Sequence, residues 1–131
     1  MELTRATRRN GAPATRDPLV RQALAQFHVE IEMMKYTSYR VFSEILRGGD
    51  PRSEGSMLKL TWSELNQRMT EFAVALEGPA GQLVKGSAHA VQSGRWQHHF
   101  LRSRASTIEA GTSEIERIII AERVLGMPRG R

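Results

Sequence analysis

Six consecutive residues, Glu109-Ala110-Gly111-Thr112-Ser113-Glu114, combine carboxylates, a glycine that can turn sharply and two hydroxyls. They lie within residues 101–129, L-R-S-R-A-S-T-I-E-A-G-T-S-E-I-E-R-I-I-I-A-E-R-V-L-G-M-P-R. Ser113 followed three residues later by Glu116 is a capping-box pattern, so a helix is expected to start near Ser113, with Gly111 turning the chain into it. A loop that ends on a helix N-terminus presents free backbone N–H groups and the positive end of the helix dipole. Such a place suits a phosphate, a carboxylate or an electron-rich ring. Glu109 stands in that loop, where a carboxylate could act as a general base; an exposed carboxylate that partners the helix dipole is the plainer reading.

Other chemistry is harder to place. His98 and His99 are adjacent, so on a helix their side chains diverge by about 100° and do not clasp one ion, and His28 and His89 lack ligand partners at a suitable spacing. No metal site is expected. No Ser-His-Asp or Cys-His pattern can be assembled, and Gly78-Pro79-Ala80-Gly81 is too short and rigid for a phosphate loop.

The elements that must hold the loop read as helices. Asp17 caps a first long helix with Pro18 at its first position, and Val20, Leu24, Phe27, Ile31, Met34, Val41 and Ile45 repeat at spacings of three and four. Gly48-Gly49-Asp50-Pro51 breaks it. A second helix, from about 54 to 77, carries the stripe Leu58, Trp62, Leu65, Met69, Phe72 and Leu76, and two such helices joined by a short turn make an antiparallel hairpin. Residues 78–81 close it, 85–94 read as an exposed loop, and 96–103 as a shorter helix. In the last helix Ile115, Ile118, Ile119, Val124 and Leu125 are expected to face a core, with Gly126 and Pro128 as the stop. Met33, Met34, Met57 and Met69 read as core filler. No alternating strand pattern competes, so the fold class is all-α, an up-down four-helix bundle. Residues 1–16 read as the end of a preceding helix plus a turn, and 17–131 as the bundle.

At 131 residues the chain is one domain with enough material for a core. It has no cysteine, hence no disulfide framework, and no apolar run long enough for a signal sequence or membrane span, which suggests a cytoplasmic protein. The net charge of +5 invites a nucleic-acid reading. Yet the arginines cluster in residues 5–16, 95–104 and the tail without a recognised nucleic-acid module, which favours a solvated surface and contact with an anionic cofactor.

The string T-I-E-A-G-T-S-E-I-E-R-x-I-I-A-E-R-V-L-G-M-P-R closely resembles the C-terminal signature of the acyl-CoA dehydrogenase flavoproteins. The likeness extends upstream through Asp17-Pro18-Leu19-Val20-Arg21-Gln22-Ala23-Leu24-Ala25, K-L-x-W-S-E-L at 59–65, and Leu76-Glu77-Gly78-Pro79-Ala80-Gly81, all in the family's order. The resemblance implies the family's C-terminal helical domain, which packs against FAD and builds a dimer or tetramer. It also implies an acyl-CoA substrate and an electron-transfer flavoprotein as redox partner. Gly111 would lie against the substrate thioester, and Thr112, Ser113 and Glu114 would contact FAD. Many members carry the catalytic Glu where this chain has Ala110; Glu109 is one position out of step. The run Thr7-Arg8-Arg9-Asn10-Gly11 shifts the family's flavin-phosphate arginine, and Asp17-Pro18 and Ala75 also depart from the pattern. The rival reading is a non-catalytic helical assembly subunit, or a truncated fragment without activity of its own.

Overall fold

The computed structural model describes residues 2–9, 11–49 and 52–129. A short helix α1 (Glu2–Ala6) leads into a two-residue antiparallel ladder, β1 (Arg8–Arg9) with β2 (Ala12–Pro13), in which Arg8 faces Pro13. Asn10, part of the shifted arginine motif, lies outside the described residues. The ladder is too short to leave an alternating signature, which is why the all-helical reading passed over it.

Asp17 caps α2 (Pro18–Leu46) as expected: its Oδ1 accepts from the Leu19 N–H at 2.8 Å, and Pro18 occupies the first turn, where an N–H would be orphaned anyway. The helix closes through Gly49, whose N–H donates to the Glu44 carbonyl at 2.9 Å. Asp50 and Pro51 of the expected breaker are outside the described residues. Next comes α3 (Arg52–Glu77), followed by a 3-10 turn at Gly78–Gln82. The hairpin is antiparallel, as three cross-helix contacts show. Arg40 pairs with Glu54, Arg68 with Glu30, and the Phe27 and Phe72 rings meet edge-on at 5.5 Å, so partners descend one helix as they climb the other. After α4 (Arg95–Ser106), the last helix α5 (Ser113–Ile119) runs on as a single π turn at Ile120–Val124. α3 is the central member, with α2, α4 and α5 all packed on it.

The largest apolar cluster lies at one end of the bundle. Leu3 and Ala14 join Val20 of α2 and Ala73 and Leu76 of α3, with Leu24, Phe72, Val91 and Trp96 packed around them. Leu3 and Ala14, ahead of α2, are therefore part of the core. The segment 85–94, expected to be an exposed loop, likewise sends Val91 into this cluster and buries Gly94.

The apolar stripes are less buried than their periodicity suggests. Val20 and Val41 of α2 are buried, but Ile31 and Ile45 are exposed; on α3 Leu65 and Leu76 are buried while Trp62 is 46% exposed. Met33 is exposed, and Met34, Met57 and Met69 are only half-buried; Met33, Met34 and Met57 line a surface groove rather than fill the core. α5 shows the largest departure. Ile118 is 51% and Leu125 67% exposed, whereas Ser113 and Glu116 are buried. Periodicity marks which residues share a helix face, and it does not say whether that face meets its own chain or something outside it.

Between α3 and α4 the contact is polar. Thr70 Oγ1 donates to Ser103 Oγ at 3.0 Å. Gln67 Nε2 donates to the Ser103 carbonyl at 3.3 Å and to Thr107 Oγ1 at 2.8 Å, while Arg104 Nη1 donates back to Gln67 Oε1 at 3.2 Å. No helix among the described residues is long and apolar enough to cross a membrane.

Candidate functional site

The polar seam holds the start of the loop that the sequence singles out. Residues 107–112 close on themselves: the Glu109 N–H donates to Ala105 O at 2.9 Å, and the Ser113 N–H to Thr107 O at 3.1 Å. The turn passes through Ala110 at φ 55° and Gly111 at φ 104°. A left-handed alanine is uncommon and carries strain, while a glycine takes up such angles freely. The Nζ of Lys59, on α3, donates to the Gly111 carbonyl.

The helix is capped one residue earlier than the pattern suggests. Thr112 is the N-cap, its Oγ1 accepting from the Ile115 N–H at 3.3 Å. Glu116 therefore falls one position beyond the reciprocal partner of a box; it turns inward, 5% exposed, beneath Gly111.

Thr112, Ser113 and Glu114 line one open cavity of about 610 Å³ with Thr107, Ile108, Arg117 and a wall of α3 built from Glu64, Gln67, Arg68 and Glu71. The structure thus brings the three expected cofactor residues together. Gly111, next in the chain to Thr112, is not among the lining residues; Lys59 holds its carbonyl. Ser113 is 6% exposed, and its Oγ is buried without a hydrogen-bond partner. A buried hydroxyl costs free energy until something accepts from it or donates to it. Around this hydroxyl the charges nearly balance: Arg117 pairs with Glu64, and Arg68 with Glu30 of α2. Glu114 is exposed; its own backbone N–H and the Thr112 hydroxyl hold its carboxyl below the ordinary range, helped by Arg117 and Lys59. With three carboxylates and two guanidiniums on the wall, the cavity suits a neutral polar ring better than a phosphate.

Glu109 is not brought in. It is exposed, and Arg102 Nη2 donates to both its oxygens at 2.9 and 3.0 Å. Ala110 offers no titratable group. The cavity therefore has groups for holding a ligand, and its lining carboxylates, Glu64, Glu71 and Glu114, lie away from position 110.

Lys59 and Gln67 hold the loop without any sign of that role in the sequence. Lys59 meets the loop across 52 positions and Gln67 meets Thr107 across 40, so no local spacing announces either contact.

Comparison with known proteins gives this geometry its context. The family model described as the acyl-CoA dehydrogenase C-terminal domain matches residues 1–125. The chain is 34% identical over 127 residues to the acyl-CoA dehydrogenase IpdE1 of Mycolicibacterium smegmatis, a match that takes in 97% of this chain and 30% of that protein. Among solved structures, a chain of the ChsE4-ChsE5 complex from Mycobacterium tuberculosis superposes with a TM-score of 0.82 at 27% identity, over 99% of this chain and 33% of that one. The FAD complex of PigA superposes with a TM-score of 0.77 at 25% identity, over 96% of this chain and 30% of that one. The chain spans about a third of the length of the relatives it matches.

Proposed function

The chain belongs to the acyl-CoA dehydrogenase family, as the C-terminal domain, and from that premise we propose that it supplies one wall of the FAD site in an acyl-CoA-oxidising enzyme. The observation that carries this reading is the buried, unpartnered hydroxyl of Ser113 beside the Thr112 cap, in a cavity whose balanced charge fits a polar ring.

Bound FAD would supply the hydride acceptor for desaturation of the acyl chain next to the thioester. This chain's residues bind and orient. Thr112 fixes the first turn of α5, Ser113 offers its free hydroxyl, and Lys59 holds the Gly111 carbonyl so that the turn faces the substrate thioester from a fixed distance. The proton from the carbon beside the thioester goes to a base outside the described residues, since Ala110 cannot accept it and Glu109 is engaged by Arg102. In this reading residues 1–16 end a preceding helix and 17–131 form the bundle, the exposed apolar residues of α2 and α5 cover other parts of the assembled enzyme, an electron-transfer flavoprotein removes the electrons, and the assembly is cytoplasmic.

The second reading, a non-catalytic assembly subunit, draws support from Ala110 and from the exposed apolar surface. Flavin retention separates the two. In the intact assembly, Thr112→Ala and Ser113→Ala should each weaken FAD retention about tenfold, the effect of one lost hydrogen bond of roughly 1.4 kcal/mol. Unchanged flavin content after both substitutions would leave the assembly reading standing.

A further inference from the structure

A second cavity, of about 470 Å³, has a different chemistry and shares no residue with the first. Val84 and Lys85 form one side; Ser93, Arg95, His98 and His99 line the other. No carboxylate lines it. Among the described residues eight arginines are paired with carboxylates: Arg9 with Asp17, Arg40 with Glu54, Arg47 with Glu44, Arg68 with Glu30, Arg102 with Glu109, Arg104 with Glu71, Arg117 with Glu64 and Arg129 with Glu122. Lys85 and Arg95 have no carboxylate partner among the described residues, and the partner Arg95 does have is the Trp96 ring, 5.5 Å from its guanidinium carbon.

The convergence is built by the backbone. Gln92, Ser93 and Gly94 take left-handed angles in succession, φ 46°, 57° and 70°. Two of these are not glycine, so the segment stores strain, and Trp96 Nε1 donating to Gln92 Oε1 at 2.9 Å helps to hold it. The twist presses Gly94 onto the preceding strand of loop. A Cβ on Gly94 would lie 2.8 Å from the Leu83 oxygen, the Lys85 nitrogen and the Val84 carbon. Only glycine permits that approach, and the approach is what sets Lys85 opposite Arg95 and the two histidines. Strained backbone held in place around unpaired like charges is costly, and an anion seated among them removes the repulsion.

We propose that this cavity binds the phosphate end of a small organic phosphate ester, with Lys85 and Arg95 on the phosphate and Val84 and the imidazoles against the organic part. The volume lies in the range of small-molecule sites, larger than a bare phosphate needs. A nucleic-acid surface fits less well, because Lys85 and Arg95 converge on one concavity rather than lying along an extended basic face.

The test is calorimetric titration of the full chain with pyrophosphate and with ADP, and of the variant Lys85→Gln/Arg95→Gln. Binding should weaken at least tenfold in the double variant and stay unchanged in Arg21→Gln, which removes an exposed arginine elsewhere. All three side chains are exposed, so the helical circular dichroism should be unaltered; the single variant Lys85→Gln, expected to lose at least threefold, serves if the double variant misfolds. ADP binding tighter than pyrophosphate assigns the site to a ring-bearing ester, and equal affinity assigns it to the diphosphate group alone. No binding of either anion, or equal affinity in the double variant, overturns the proposal. So does an RNA oligonucleotide that binds more tightly than ADP and competes with it.

Discussion

Substituting Gly111 by alanine probes the loop most directly. At φ 104° an L-residue pays a backbone penalty of about 2 kcal/mol. The new methyl would also fall inside contact distance of Glu116 Oε1, and Glu116 is 5% exposed, so its carboxyl has little room to withdraw; overpacking of this kind adds about 1 kcal/mol. The sum is about 3 kcal/mol, which for a domain of this size lowers Tm by roughly 10 °C. Thermal melts followed by far-UV circular dichroism measure it. The double variant Gly111→Ala/Glu116→Ala separates the two contributions, because without the carboxylate only the backbone penalty remains, and the pair should couple by about 1 kcal/mol. If Gly111→Ala melted within about 2 °C of the unsubstituted chain, the geometry assigned to this turn would be wrong.

Two further outcomes follow from the same physical reasoning. Ala110→Gly should stabilise the chain by about 0.5 kcal/mol, since relief of the left-handed alanine outweighs the extra freedom glycine gains when unfolded; chemical denaturation midpoints decide it, and a lower midpoint refutes it. Hydrogen bonds from Arg68, then Gln26, lower the Glu30 carboxyl from 4.5 to about 2. Because the folded state binds this proton less readily than the unfolded one, the stabilisation is full above pH 4.5 and is lost as pH falls towards 2. Glu30→Gln should therefore flatten the stability profile between those values, and a profile parallel to the unsubstituted chain's would count against the pairing.

How far the sequence foretells this molecule depends on the range of the interaction. Asp17 and Pro18 announce the start of α2 because a cap and its N–H are two residues apart, and the stripe at 58–76 locates α3 because a helix face repeats every three or four positions. The Ser113 and Glu116 pattern puts the cap at Ser113; the structure has it at Thr112, because the turn through Ala110 and Gly111 ends one residue sooner. The family's signature placed Thr112, Ser113 and Glu114 in one site, and they do line one cavity. Contacts across dozens of residues, such as Lys59 with Gly111 and Gln67 with Thr107, leave no local trace. The same holds for Lys85 and Arg95, joined by a backbone twist that left-handed Gln92 and Ser93 give no reason to expect.

The hydroxyl contact of Thr70 with Ser103 bears on how the loop keeps its station. Two helices meeting through aliphatic side chains can slide by fractions of an ångström at little cost, since dispersion varies smoothly with distance. A hydrogen bond buried between them acts as a detent: small travel breaks it, and water cannot replace it. Four residues beyond Ser103, Thr107 opens the loop, so the detent indexes the loop against α3. Side chains on the outer apolar faces can then change without moving Thr112, whereas Thr70→Val would leave the register of α4 to Gln67 and its partners Ser103, Arg104 and Thr107 alone.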